Sequence, residues 1–373
     1  MPYHPGTHLT IAVLFGGRSG EHEVSLMSAR SILAALDPAR YHIIQVGITR
    51  EGAWLTGENA LDALEKGDTL GLRPVTLFPD PSRPGLYLLL PNGVEKLADV
   101  DVYFPVLHGT YGEDGTLQGL FELADVAYVG AGVAGSAVGM DKIIFKDVLR
   151  AQGIPVVESV TILRSEINNS LEECVRRAES VGAYPLFVKP ANLGSSVGIS
   201  KCRSRSDLAE GLLEAAQYDR RILVERGVNN PREIEIAVLG NERPEASLPG
   251  EIIPGADFYS YEAKYLLDSS QSLIPAPLSD EQRAIIADLA LRAYAAADCA
   301  GLARVDFFLD GQSGEIFLNE INTLPGFTKI SMYPKLWQAS NLPYATLVNR
   351  LIELALERKK ERDHTAHSYR RNS

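Results

Sequence analysis

Between residues 302 and 322, two apolar runs carry polar residues that a β-sheet would place on one side. The first reads Leu302-Ala303-Arg304-Val305-Asp306-Phe307-Phe308-Leu309 and the second Ile316-Phe317-Leu318-Asn319-Glu320-Ile321-Asn322, with Asp310-Gly311-Gln312-Ser313-Gly314 between them. Apolar runs flanking a glycine-containing turn predict adjacent antiparallel strands. Side chains two apart on a strand share a face, so Glu320 and Asn322 project together and Asp306 of the neighbouring strand can join them. Two carboxylates and an amide, all oxygen donors, suit Mg²⁺, which binds through few protein carboxylates together with waters and substrate phosphates. The competing description is a pair of solvated strand-edge acids. Acids on otherwise apolar strands are costly without a partner, which favours the metal.

A chain of 373 residues exceeds the usual size of one hydrophobic core, so two or three domains are expected. The formal net charge of −12 argues against a nucleic-acid binder, which would need a basic footprint. An anionic small substrate remains compatible, because a few local lysines can outweigh the mean field. Cys174, Cys202 and Cys299 have no metal-ligand spacing and read as reduced thiols of a cytosolic protein. Residues 1–7 lack the apolar core of a signal peptide, and no apolar run approaches the length of a membrane span. A cytoplasmic protein without membrane or nucleic-acid partners is expected.

Residues 9–15 form a predicted strand that runs into Gly16-Gly17-Arg18-Ser19-Gly20, followed by a helix over 23–36 and a strand over 41–48. This opening predicts a parallel sheet with a ligand at the carboxyl ends of its strands. Residues 51–98 show no readable pattern. The sheet resumes over 100–107, feeds a helix over 116–123, and gains a further strand ending at Val129. Beyond Met140 come a helix over 141–152 and strands near 156–163, 185–190, 198–202, 222–225 and 233–239. Helices over 281–298 and 342–360 follow, then a polar, frayed tail. A boundary near 136–142 is expected, giving an N-terminal α/β domain and a larger α+β body.

Three glycine-rich places could hold phosphates. Besides residues 16–20, Gly130-Ala131-Gly132-Val133-Ala134-Gly135 fits the dinucleotide pattern, but it lies deep in the domain and lacks an acidic ribose anchor at the expected distance. The third runs from Val188 to Ser200 and reads as a hairpin tip. Gly194 and Gly198 let the backbone approach a ligand, the Ser195 and Ser196 hydroxyls and amides can donate to phosphate, and Lys189 supplies a point charge. With the downstream oxygen cluster, this hairpin favours ATP.

Four motifs carry a family resemblance: residues 16–25 (Gly-Gly-Arg-Ser-Gly-Glu-His-Glu-Val-Ser), 108–115 (His-Gly-Thr-Tyr-Gly-Glu-Asp-Gly), 261–265 (Tyr-Glu-Ala-Lys-Tyr) and 319–328 (Asn-Glu-Ile-Asn-Thr-Leu-Pro-Gly-Phe-Thr). In this order they resemble the D-alanine–D-alanine ligases, enzymes of the ATP-grasp fold, over about residues 9–356. The resemblance implies an α/β protein with an α+β body. A parallel N-terminal α/β domain (1–141) would precede two α+β ATP-grasp subdomains (142–236 and 237–360) with the nucleotide between them, and then a flexible tail (361–373).

The same resemblance implies roles. Lys142 and Lys189, with Ser195 and Ser196 of the hairpin, would contact ATP phosphates, and Lys264 the transferring phosphoryl group. Glu225, with the backbone at Arg226 and Val228, would hold adenine, and Glu233 the ribose. Asp306, Glu320 and Asn322 match a two-Mg²⁺ site, with Mn²⁺ as an alternative. Glu21 would bind the ammonium of the first D-alanine and form a hydrogen-bonded set with Ser195 and Tyr265 that closes a loop over the site. Arg304 and the amide of Gly326 would stabilise an oxyanion, and Ser331 with the Met332 amide would hold the second carboxylate. His108 would lie near the first substrate, a strand-capping core histidine being the alternative. A homodimer is the usual assembly of such relatives. The segment 227–232 is slightly longer than the family pattern.

The implied reaction ligates two D-alanines through a D-alanyl phosphate. One rival is a ligase accepting D-lactate or D-serine second, against which Tyr265 speaks because a phenol there favours an amine nucleophile. Another is a non-catalytic nucleotide-binding protein or a dehydrogenase built on residues 130–135. Such a protein would have no need of Asp306, Glu320, Asn322 and Arg304 together.

Overall fold

The computed structural model describes residues 8–194, 197–253 and 271–366. Strand β1 (Leu9–Gly16) is buried on both faces: Ile11, Val13 and Phe15 join one core and Ala12 and Leu14 another. It turns sharply at Gly16, whose φ is +92° and where a Cβ would stand 2.2 Å from the Ile48 carbonyl oxygen, so only glycine fits. Helix α1 (His22–Leu33) follows, and β2 (Tyr41–Ile48) returns parallel to β1. Next come β3 (Trp54–Thr56), α2 (Ala60–Lys66), β4 (Arg73–Leu77), β5 (Leu86–Leu90) and β6 (Gly93–Ala98), then β7 (Val102–Val106). The strand order is β6-β5-β4-β3-β2-β1-β7. The expected parallel sheet is therefore parallel only across β2-β1-β7; β3 to β6, from the stretch without a readable pattern, extend it antiparallel. Helix α3 (Thr116–Leu123) covers one face, and the expected strand ending at Val129 is reduced to a single bridge between Tyr103 and Tyr128.

The glycine-rich stretch after it forms helix α4 (Val133–Met140). Its glycines serve close packing, because a Cβ on Gly135 would lie 2.6 Å from the Asp298 carbonyl oxygen. Asp141 then caps α5 (Lys142–Ala151), its side chain accepting from the amides of Ile143 and Ile144. A second, fully antiparallel sheet has the order β10-β9-β11-β8. It comprises β8 (Ser159–Leu163), helices α6 (Arg164–Asn169) and α7 (Leu171–Glu179), β9 (Leu186–Pro190), β10 (Ser200–Cys202), α8 (Arg205–Tyr218) and β11 (Arg221–Arg226). Leu186, Val188, Ile222 and Val224 face α7 and α8, leaving Lys189, Leu223 and Glu225 on the opposite face, toward α5.

The third sheet contains β12 (Arg232–Gly240), β13 (Glu245–Ala246), β14 (Gly250–Ile253), β15 (Gln271–Leu273), β16 (Gly301–Leu309) and β17 (Ile316–Asn322). Strand β12 runs unbroken through residues 236 and 237. Helix α9 (Asp280–Ala296) covers one face, where Ile234, Ile236, Val238, Ala303, Val305, Phe307 and Leu309 form a common core with Phe145 and Leu149 of α5. Full burial of one such aliphatic or aromatic side chain is worth about 1.5–3 kcal/mol, so this alternation pins the register. Helices α10 (Met332–Ala339) and α11 (Tyr344–Arg362) pack between this sheet and the first. At the end of α11, Arg362 is tied to Glu122 at 2.6 Å and Asp125 at 3.0 Å. No helix among the described residues is long and apolar enough to cross a membrane.

Candidate functional site

The alternation that buries the odd-numbered residues of β16 turns Arg304 and Asp306 to the other face of the third sheet. Their cross-strand partners in β17 are Asn322 and Glu320, respectively, with a register shift just after Asp306. Asn322 Nδ2 donates to Asp306 Oδ2 at 3.1 Å. Arg304 grips Asp306 in a two-pronged contact, Nε to Oδ1 at 2.7 Å and Nη2 to Oδ2 at 2.6 Å. From β12, Glu235 Oε2 lies 3.1 Å from Arg304 Nε. Burial alone would ease proton loss from Arg304, but Asp306 and Glu235 beside it push its pKa well above the ordinary value. The oxygen donors of Asp306, Glu320 and Asn322 fit a hard divalent cation by chemistry. Among the described residues no three carboxylate, imidazole or thiol groups converge on a point that could hold a metal ion, so that fit rests on two carboxylates and the amide.

The second sheet is joined to the third through α5, whose Phe145 and Leu149 enter the α9 core while Lys146 reaches Glu225. Lys142, the first residue of α5, donates from Nζ to the Leu193 carbonyl at 2.6 Å, and its amide donates to the Ala191 carbonyl at 3.0 Å. Helix and hairpin loop are thereby tied together. Glu225 on β11 sits between two lysines: Lys189 Nζ is 2.5 Å from Oε2 and Lys146 Nζ is 2.6 Å from Oε1. Burial alone would raise the Glu225 pKa, but the two cations hold it down at about 2. Burial also lowers the pKa of Lys146, with Glu225 pulling the other way. Lys189 also reaches Asn319 Oδ1, at 3.4 Å, across to the third sheet. Arg226 stacks its guanidinium on Phe317, 5.1 Å from the ring centre. Val228 is half-buried in the following loop, and Glu233 begins the site face of β12 opposite Phe308.

The third wall comes from the first sheet. Glu21 stands at the N-terminus of α1, its amide accepted by Ser19 Oγ, which itself donates to the His108 carbonyl at 2.7 Å. The Glu21 carboxylate lies between two glycines: a Cβ on Gly109 would be 2.6 Å from Oε2, and one on Gly194 2.8 Å. The hairpin loop thus reaches Glu21 immediately before Ser195. His108 is buried. Its Nδ1 hydrogen-bonds the Leu324 carbonyl at 2.9 Å, and its Nε2 meets Ser28 Oγ at 3.1 Å. Burial lowers its pKa, favouring the neutral ring, although Glu21 and the Leu324 carbonyl pull upward. Ser28 Oγ also accepts the Phe327 amide at 3.2 Å, so α1, His108 and the loop containing Gly326 form one network. Glu113 accepts from the Gly109 amide at 2.6 Å and the Leu324 amide at 3.2 Å. Burial, and then the nearby Glu21 charge, push its pKa up to about 8. Beyond Gly326, Ser331 precedes α10, its Oγ 2.8 Å from Thr328 Oγ1, and Met332 is the first helical residue.

Ser195, Ser196, Lys264 and Tyr265 lie outside the described residues. The other expected site residues fall on these three walls. Gly130 and Gly132 instead meet Arg358, whose Nη1 donates to the Gly130 carbonyl at 3.1 Å and whose Nη2 would stand 2.6 Å from a Cβ on Gly132. Packing fills the place a dinucleotide phosphate would need. Lys146, Glu113, Ser28, Asn319 and Glu235 escaped the sequence reading. Glu113 and Asn319 lie within the 108–115 and 319–328 motifs, and Glu235 alternates with buried isoleucines on β12, directly opposite Asp306 in the β12–β16 register.

Two family models match: one described as "D-ala D-ala ligase N-terminus" over residues 10–131, and one as "D-ala D-ala ligase C-terminus" over 148–353. A D-alanine–D-alanine ligase of Heliobacterium modesticaldum is 51% identical over 357 residues, 96% of this chain and 97% of that protein. The one of Natranaerobius thermophilus is 49% identical over 356 residues, 95% of this chain and 97% of that protein. Among solved structures, the D-alanine–D-alanine ligase from Coxiella burnetii superposes with a TM-score of 0.81 at 39% identity, covering 95% of this chain and 96% of that one. The VanG D-Ala:D-Ser ligase from Enterococcus faecalis gives 0.83 at 36% identity, covering 94% and 100%.

Proposed function

The chain belongs to the D-alanine–D-alanine ligase family, and on that premise we propose that it joins two D-alanines to D-alanyl-D-alanine, the dipeptide of bacterial peptidoglycan, with conversion of ATP to ADP and phosphate. The observation that carries the site assignment is the β16–β17 register. It sets Arg304 against Asn322 and Asp306 against Glu320, on the sheet that Lys189 reaches through Asn319.

In the first step a carboxylate oxygen of one D-alanine attacks the γ-phosphorus of ATP, the bond from that phosphorus to the ADP oxygen breaks, and ADP leaves. The protein's task is positioning and charge stabilisation. Lys142 and Lys189 hold the polyphosphate. The Lys146–Glu225–Lys189 group has two cations for one anion, so releasing Lys189 to phosphate leaves a balanced buried pair. Glu225, Glu233 and the backbone at Arg226 and Val228 take the nucleoside. Asp306, Glu320 and Asn322 would hold Mg²⁺, which would supply positive charge to the polyphosphate; we propose two ions, with Mn²⁺ able to substitute. Glu21 takes the ammonium of the first D-alanine.

In the second step the amine of the other D-alanine attacks the acyl carbon and loses a proton. The C–O bond to phosphate breaks, so phosphate departs with an oxygen from the original carboxylate. Arg304 and the Gly326 amide receive the oxyanion. The second substrate's carboxylate meets Ser331 Oγ and the amides that open α10, where a helix N-terminus favours an anion. The glycines that bracket Glu21 bring the hairpin against the first substrate's place, which limits water around an acyl phosphate. As the division between the two subdomains we propose residues 227–231, where the chain changes sheet, rather than a point inside β12.

Product analysis by mass tests the reading. D-alanine supplied with equal D-serine and D-lactate should yield mainly the D-Ala–D-Ala dipeptide. A dominant mixed product would move the chain to a ligase of different second substrate.

A further inference from the structure

Glu235 is 8% exposed and stands opposite Asp306 in the β12–β16 register, on the same face as Arg304. Its strand neighbours Ile234 and Ile236 are fully buried in the α9 core, so its carboxylate points into the site. Taking a carboxylate out of water costs several kcal/mol unless it is paired, and its partner here is Arg304 Nε at 3.1 Å.

We propose that Glu235 is a positioning residue that anchors the Arg304 guanidinium by its Nε edge while the reaction draws Asp306 away. This rests on the reading of Asp306 as a metal ligand and Arg304 as the oxyanion donor. In the structure both prongs of Arg304 are spent on Asp306, at 2.7 and 2.6 Å. A carboxylate that turns lone pairs to a cation shares its charge between the cation and that grip, which loosens it. Arg304 then needs a second anion to fix its plane, and Glu235 lies at the Nε edge. An arginine held there keeps its terminal NH₂ groups for the reacting oxygen. Among the described residues Glu235, Asp306 and Glu320 do not converge on one ion-sized point, and Glu235 pairs with Arg304.

The test compares wild type, Glu235→Gln, Arg304→Met and the double variant. For each, kcat, the KM for ATP and Mn²⁺ affinity by electron paramagnetic resonance with ADP present are measured. The expectation for Glu235→Gln is a kcat lower by about 10-fold or more, with KM for ATP and Mn²⁺ affinity within about twofold, since only transition-state charge is affected. In the Arg304→Met background the same change should cost less than about twofold, because a residue that acts through Arg304 has nothing left to position. The double variant removes Glu235 together with the cation it pairs, so no Glu235 charge is stranded and the comparison stays informative. Mn²⁺ binding weakened about 10-fold or more in Glu235→Gln would make Glu235 a ligand and overturn the proposal. So would a full additional loss in the Arg304→Met background. Unchanged kcat in Glu235→Gln beside a collapsed Arg304→Met overturns the anchor alone; full activity in both overturns the anchor and the Arg304 assignment with it.

Discussion

His108 Nδ1 donates to the Leu324 carbonyl oxygen across 2.9 Å, joining residues 216 positions apart and clasping the end of β7 to the loop that contains Gly326. Ser28 completes the clasp by accepting the Phe327 amide and meeting His108 Nε2. Ser28→Ala leaves both groups buried without that partner and should lower the unfolding free energy by about 1–3 kcal/mol. The freed loop should also lower kcat. Urea unfolding and steady-state rates check this; an unchanged midpoint with unchanged rate would show that the clasp does not hold the loop.

Glu113 provides a pH dependence. Its pKa rises from an ordinary 4.5 to about 8 in the fold, through burial first and the nearby Glu21 charge second, against the Gly109 and Leu324 amides and Arg304. A raised acid pKa means that the native state holds the proton more tightly. The associated stability is fully present below about 4.5 and is lost as pH rises through about 8. Glu113→Gln should therefore gain stability relative to wild type as pH climbs across that window. Denaturant midpoints at several pH values measure it, and a difference that stays flat would contradict the assignment.

The two lysines on Glu225 differ in consequence from the acid between them. Lys189→Met leaves the Lys146–Glu225 pair, with Nζ 2.6 Å from Oε1, balanced. Glu225→Gln leaves two lysines in the interior with no anion between them. Removing the shared partner of a buried ion pair costs about 3–5 kcal/mol. Glu225→Gln should thus destabilise more than twice as much as Lys189→Met, while both weaken ATP binding. Equal losses of stability would contradict the reading of Glu225 as the shared anion of both lysines.

Arg304→Met should reduce kcat by about 10²–10³-fold, with nucleotide affinity changed little, because an oxyanion donor acts in the transition state. Calorimetric titration with an unreactive ATP analogue separates the two. Retained turnover would remove Arg304 from the chemistry.

The third sheet was legible because alternation is a local signal: odd positions of β16 fill the α9 core, so Arg304 and Asp306 had to share the other face. The antiparallel extension from β3 to β6 was not legible, since its strands are short and β6 is mostly exposed. Residues 130–135 drew attention as a dinucleotide pattern rather than as the start of helix α4, where Gly135 and Gly139 let Asp298 and Thr323 approach. Lys146 sits four residues from both Lys142 and Arg150, which looks like one solvated stripe of a helix. It is buried because Glu225 arrives from a distant strand, information that no local window contains. Likewise, Glu113 acquires its unusual environment only when the Leu324 loop folds over it. Arg362, expected in a frayed tail, ends α11 and is held by Glu122 and Asp125.

The central claim is that ATP activates a D-alanine carboxylate as an acyl phosphate that an amine then displaces. It is tested most directly by supplying D-alanine labelled with ¹⁸O in its carboxylate and analysing the released phosphate by mass. One labelled oxygen per phosphate, appearing only when D-alanine is present and together with the dipeptide, is the predicted result. Phosphate free of label, or released at the same rate without D-alanine, would contradict it.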